Sequence, residues 1–281
     1  MSASLDASSA SNPSNLPSRY QIRRLTPEHL QWAIAIVCHS NLYHSTVWTR
    51  LYPGKQGKRF NFAMEAAKYL CEHQINSGKS IGVFDLEYQY EHESSRAKGG
   101  AFLWDPKNDD VIGEELLAAM DFPLVSVALA YDAADPIDPK GVAPMVEAFP
   151  AFGYVYSTLN KLDPGSESRK ATGRNQILMR NATSTRADYE NRKLMGSLAR
   201  FMMREAQQSG YRGINIEALS DAVTHVWTNP KQKGMRGELV CKFWTLDAEE
   251  VDEQGKTFKP FSPAEQMVTR CFVHLNENDE A

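Results

Sequence analysis

The spacing of apolar positions divides this chain into short strands alternating with amphipathic helices. Residues 20–25 alternate as a half-buried strand does. Thr26-Pro27-Glu28 then supplies an N-cap hydroxyl, a proline at the first helical position and an early acid, so a helix is expected over 27–38. A second helix is expected over 59–74, with Phe60, Ala63, Ala67 and Leu70 on one side. Residues 80–87 and 99–104 read as a strand pair joined by the polar stretch 91–98, and 124–130 is another short apolar run. The segment 131–144, YDAADPIDPKGVAP, has the Asp, Pro and Gly of a loop; helix returns over 149–162, giving an inserted loop and helix region at about 131–165.

The pattern is sharpest in the second half. Residues 175–183, NQILMRNAT, read as a strand, 184–190 as a turn, and 190–209 as a helix that places Leu194, Leu198, Phe201, Met202 and Ala206 on one face. INIEAL, 214–219, is a strand by alternation, followed by a short helix over 220–227 capped by Ser220. Two more strands are expected at 237–245 and 267–275, separated by the acidic stretch 247–254. This order, with its strand-rich end, predicts one mixed α+β domain over 19–281, built on a single sheet. Residues 1–18 are serine-rich with little to bury and read as a disordered tail.

Composition narrows the function classes. The 281 residues are 42% hydrophobic and 23% charged with a formal net charge of −4, so no basic excess points to nucleic acid. There is no secretory pattern and no apolar stretch of bilayer-spanning length, and a cytoplasmic address, or a nuclear one, is the default expectation. Cys38, Cys71, Cys241 and Cys271 are scattered without metal-ligand spacing, so reduced, largely buried thiols and no metal site are expected. Asn181-Ala182-Thr183 fits a glycosylation acceptor by chance. Gly78-Lys79-Ser80 ends like a phosphate-binding loop, but position 73 is His and the segment precedes a strand. Neither a Gly-x-Gly-x-x-Gly fingerprint nor a Gly-x-Ser-x-Gly elbow occurs. His39 and His44 flank Tyr43 near Trp48 and Tyr52, which reads as aromatic packing with a polar rim ahead of the alternative, a ligand pocket.

A strand that feeds a helix N-terminus can hold a phosphate, because the first helical amides lack internal partners and carry the positive end of the macrodipole. The phrases YQIRRLTPEHLQWA, RNATSTRADYENRKLMGSLARFMMREA, INIEALSDAVTHVW and RCFVHL resemble the GNAT N-acyltransferase superfamily, in particular fungal GNAT-like proteins, over residues 20–275. The resemblance implies a mostly antiparallel twisted sheet splayed at a cofactor wedge, helices on both faces, and an acyl-CoA, acetyl-CoA foremost, as donor. In that family the turn reads Arg/Gln-x-x-Gly-x-Gly/Ala and wraps the coenzyme A pyrophosphate. Aligned on Tyr189, Glu190 takes the Arg/Gln place, Lys193 the first glycine and Met195 the second; a register starting at Lys193 instead recovers Gly196. The implied cofactor-binding set is Thr183, Ser184 and Thr185, whose backbone would pair with the pantetheine arm, with Glu190, Asn191, Arg192, Lys193, Leu194, Met195, Gly196 and Ser220.

Acyl transfer to an amine needs a base, an oxyanion donor and a proton for the thiolate. Glu217 is the first candidate base, on the strand that the resemblance places along the acceptor cleft; His225 is a second, and Asp132, with Asp135, could hold a cationic acceptor. Trp227 stands where the family often has the tyrosine acid, and indole does not ionise usefully; Tyr154 or Tyr156 could replace it if their helix covers the cleft. The expected function is acyl-CoA-dependent N-acyltransfer to an amine of a small molecule or peptide, by a monomer or homodimer without nucleic-acid or membrane partners. The alternative is a degenerate GNAT fold that binds coenzyme A or another ligand in a regulatory role.

Overall fold

The computed structural model describes residues 12–276. A seven-stranded sheet is assembled from β1 (Tyr20–Arg24), β2 (Ile81–Asp85), β3 (Leu124–Asp132), β4 (Ile177–Thr185), β5 (Gly213–Ala218), β6 (Arg236–Trp244) and β7 (Met267–His274). Their spatial order is β1-β2-β3-β4-β5-β7-β6. Every neighbouring pair is antiparallel except β4 with β5. A parallel pair needs a crossover, and the helix α6 (Leu194–Gln208) supplies it.

Helices cover both faces. On one lie α1 (Leu30–His39), α2 (Gln56–Ala66), α3 (Lys68–Asn76) and α4 (Pro139–Ala148), packed with Leu124, Val127 and Leu129 of β3. On the other, Leu194, Leu198, Phe201 and Met202 of α6 meet Ile22, Val83, Val125 and Ile214. The short α7 (Asp221–Thr228) adds Trp227 to that cluster. β3 is therefore covered on both sides, which is why its sequence is a continuous apolar run rather than an alternation. A third cluster forms where α5 (Pro150–Leu162) packs across the β6 and β7 end of the sheet, through Val155, Leu159, Phe261 and Val268.

Several expected elements change form. The first helix opens with a 3-10 turn at Pro27–His29 and continues past His39 into a π turn at Ser40–His44. The helix expected over 59–74 breaks at Ala67 into α2 and α3. The expected hairpin of 80–87 with 99–104 does not form: β2 pairs with β1 and β3, and only Ala101–Phe102 makes a ladder, with Met120–Asp121. Gly99 and Gly100 turn the chain aside there at positive φ, and a Cβ on Gly100 would strike Phe122 and Trp32. Within the expected 131–144 loop, Asp138 accepts from the Lys140 amide at 2.9 Å and Pro139 starts α4, so the same Asp-Pro pair that signals a loop begins a helix.

Of the expected tail, residues 1–11 lie outside the described residues, while the chain from Asn12 is laid along α6. Asn12 is buried, donates to the Phe201 carbonyl at 3.3 Å, and accepts from Arg204, which also reaches the Pro13 carbonyl at 2.6 Å. The four cysteines are free thiols, three of them buried.

Candidate functional site

The parallel pairing of β4 and β5 covers only Ile177 to Arg180 against Gly213 to Ile216. Beyond it β4 runs on to Thr185 with a partner on its β3 side alone. The register with β3 skips Asn181, since Leu129 faces Ala182 and Ala130 faces Arg180. One extra residue in one strand bends it, and the bend falls where the two strands part. The result is a wedge, bounded by residues 181–185 and by Glu217 and Ala218.

A cavity of about 320 Å³ occupies this wedge and extends beneath α5. Its sheet side presents residues 180–184 and 217–220. Facing them are the π turn at Ser40–His44, Trp48, Phe149, and Phe152 and Tyr156 of α5. Thr183 carries a buried hydroxyl with no hydrogen-bond partner among the described residues. An unpaired strand edge next to an unsatisfied hydroxyl is a place for an extended, amide-bearing ligand.

At the outer end of the wedge the chain turns into α6. Arg186 fixes the turn, donating to the Met120 and Phe122 carbonyls at 2.8 and 3.1 Å and to both oxygens of Asp188. Lys193 is the N-cap of α6, at φ 64° and ψ 17°. The first bond closing the helix runs from the Ser197 amide to the Lys193 carbonyl at 3.2 Å, so the amides of Leu194, Met195 and Gly196 have no acceptor within α6. The position aligned with the family's first glycine thus adopts the left-handed backbone that glycine favours, whereas Gly196 already lies within the helix. This favours the register that begins at Tyr189. Asn191 is likewise at positive φ, which asparagine tolerates better than most residues.

The remaining expected residues divide clearly. Thr183, Ser184, Glu190, Glu217 and Ser220 line the cavity. Thr185 does not, its hydroxyl bonding Ser126 at 2.8 Å, and Leu194 points into the core. Met195 and Gly196 contribute half-buried positions at the start of α6. Arg192, expected as a charge for phosphate, is held over the Tyr189 ring at 4.6 Å and donates to the Tyr20 hydroxyl and the Asp188 carbonyl.

Two catalytic expectations are corrected by position. Asp132 lies at the far end of β3, accepting from the Asn175 and Ala134 amides and the Tyr211 hydroxyl, so its carboxylate ties a loop to the sheet and is absent from the cavity lining. His225 sits on the exposed side of α7 and also does not line the cavity. A short helix shows its buried face only through its packing, and here that face belongs to Trp227.

Glu217 is buried, with one oxygen held by Asn215 at 2.9 Å and by the Arg270 Nε at 3.3 Å. Arg270 is anchored in turn by Asp163 and Asn160, so the base candidate is braced from α5. Tyr156 meets the positional condition set for a substitute acid, since its helix covers the cleft, and its hydroxyl accepts from the Asn181 side-chain amide at 2.8 Å. Burial, reinforced by the Glu217 carboxylate, pushes that phenol well above its ordinary pKa. Tyr154 turns instead toward Phe258. The sequence reading missed Arg180, Asn181, Phe149 and Phe152 as cavity residues and took Trp48 for packing. Only the clustering of aromatics near positions 43–52 and 149–156 gave a signal. Among the described residues no group of three or more His, Cys, Asp or Glu could hold a metal ion. No helix among them is long and apolar enough to cross a membrane.

No protein-family model matches the chain, and no curated protein matches its sequence. Solved structures do match its fold. The C-terminal condensation domain of Ebony, in complex with beta-alanyl-dopamine, superposes with a TM-score of 0.56 at 18% identity, over 90% of this chain and 97% of that one. Arylalkylamine N-acetyltransferase 2 from Aedes aegypti gives 0.54 at 10% identity, over 92% and 100%. A putative arylalkylamine N-acetyltransferase 7 from the same mosquito gives 0.53 at 12%, over 92% and 88%. The chain is a single mixed α/β domain with the fold of the GNAT acetyltransferases.

Proposed function

We propose that this protein is an acyl-CoA-dependent N-acyltransferase that acylates a small amine with an apolar or aromatic body. The observation that carries the reading is the cavity at the β4 and β5 wedge, where an unpaired strand edge, an unsatisfied Thr183 hydroxyl and the braced Glu217 carboxylate converge. The residues fit coenzyme A. Free amides at the start of α6 suit a diphosphate, and the edge of β4 from Asn181 onward suits an amide-bearing arm. Glu190 is the one unfavourable group, an acid where the family has Arg or Gln.

A bound acyl-CoA supplies an activated carbonyl carbon. Glu217 takes the proton that the amine gives up as its nitrogen bonds that carbon. Tyr156, which keeps its proton at neutral pH, offers a hydrogen bond to the carbonyl oxygen as negative charge gathers there. Trp48, Phe149 and Phe152 shape the acceptor side and exclude water, so an amine with an aromatic or branched apolar body is preferred over a hydrophilic polycation.

The test is calorimetric titration with acetyl-CoA followed by thiol release across tyramine, tryptamine, spermidine and lysine. Binding with release favouring the aromatic amines supports the reading, whereas no heat and no thermal shift removes it. Binding without release from any amine favours the second reading, a degenerate fold that holds coenzyme A; Trp227, buried at the usual acid position, speaks for that one.

A further inference from the structure

Arg180 brings a cation to the apex of the wedge with no carboxylate bonded to it among the described residues. It is the last residue of β4 paired across to β5, opposite Ile216, and it lines the cavity while only 3% exposed. Its guanidinium lies over the Trp227 ring, 5.4 Å from the centroid. One terminal nitrogen donates to the Glu217 backbone carbonyl at a long 3.4 Å, and Nε has no partner among the described residues. The titratable groups acting on it are Glu217 of β5, Tyr156 of α5 and Cys271 of β7. Of these, the Glu217 carboxylate is bonded to Arg270 and Asn215. A buried guanidinium with an unanswered Nε and one long bond is destabilising on its own, and a ligand that completes it lowers the penalty. Burial lowers its pKa to about 10, opposed by Glu217, so it remains charged at neutral pH.

We propose that Arg180 is the electrostatic partner of the thiolate that leaves during acyl transfer, an inference that rests on the acyltransferase reading above. Neither Tyr156 of the cavity wall nor Trp227, buried beneath the Arg180 guanidinium, can fill that role. Trp227 has no usable proton, and Tyr156, with its phenol raised by burial, donates a hydrogen bond more readily than it gives up its proton. In the transfer a C–N bond forms and the C–S bond breaks with its electron pair retained on sulfur. Arg180 faces that pair, Glu217 holds the proton lost from nitrogen, and the thiolate departs without needing an acid. A cation at contact distance favours the ionised thiol over the neutral one.

The experiment titrates the thiol of coenzyme A bound to the intact protein, by the ultraviolet absorbance of its thiolate. The protein alone is subtracted to remove Cys38, Cys71, Cys241 and Cys271. The bound thiol is expected to ionise about one pH unit below free coenzyme A, a tenfold gain in thiolate. R180Q and R180M, two neutral replacements of different shape, are expected to abolish that shift while still binding coenzyme A. Either one that melts cooperatively is sufficient, and the comparison of wild type with free coenzyme A requires neither. A bound thiol that titrates like the free one, or identically in wild type and a folded neutral variant, overturns the proposal and leaves the acyltransferase reading intact. Absence of coenzyme A binding by the wild type sinks both.

Discussion

The hydroxyl of Tyr189 donates to the Asp85 carboxylate at 2.6 Å, joining the turn before α6 to the end of β2 across 104 positions of sequence. Asp85 also accepts two bonds from Arg19, at 2.8 and 2.6 Å, and its side chain is fully buried. The turn that would hold a diphosphate is thus fastened to the opposite half of the sheet. Tyr189→Phe keeps the ring that Arg192 covers and removes only this bond. We expect a loss of about 1 kcal/mol in denaturant unfolding, together with weaker acetyl-CoA binding, because the loop loses its anchor while Asp85 keeps Arg19.

Acid should unfold the protein through a small set of buried or half-buried carboxylates. For Asp85, Asp121, Asp132 and Asp163, burial favours the neutral form, but hydrogen bonds and, at Asp85 and Asp163, neighbouring arginines outweigh it and hold each below its ordinary value of 3.8. Groups depressed in the folded state contribute stability above the unfolded pKa, and that stability is lost as pH falls through the folded one. Stability should therefore be flat with respect to these groups near neutrality and fall steeply below about pH 4. Asp132→Asn should be less stable than wild type at pH 7, with the gap narrowing toward pH 3, as followed by urea titrations at each pH.

Lys193 pays a backbone strain that glycine would not. Lys193→Gly should raise stability by about 1 kcal/mol, and Lys193→Ala should not. Both variants lose the same charge. A tighter acetyl-CoA titration for Gly than for Ala would then report the amides at 194–196 being less obstructed, and equal affinities would show that the side chain does not hinder them.

Glu217→Gln keeps the shape and the Asn215 contact but removes the proton acceptor. Turnover with the best amine should fall on the order of 10²-fold, with acetyl-CoA affinity little changed. An unaltered turnover number would assign the base elsewhere. Tyr156→Phe should lower turnover less, about tenfold, since it removes one hydrogen bond to the developing oxyanion and leaves the packing in place.

Local pattern alone determined a good deal of this protein. The strand, turn and helix around residues 177–208, the strand carrying Glu217, and the apolar stripe of α6 are written in spacings of two and of three to four residues, because each buries one side against a neighbour. Aligning a tyrosine put Lys193 at the family's first glycine, but its left-handed backbone is not visible in the sequence and appears only in the folded turn. Tertiary structure decided what spacing cannot encode. Alternation does not say which strand pairs with which, so β2 joined β1 and β3 rather than residues 99–104. An acid in a loop looks the same whether it faces solvent or knots two segments, as Asp132 does. Arg180 reads as one polar residue in a strand; only the parting of β4 from β5 and the stacking on Trp227 turn it into a buried cation facing a cavity, since burial and pairing are properties of the assembled sheet.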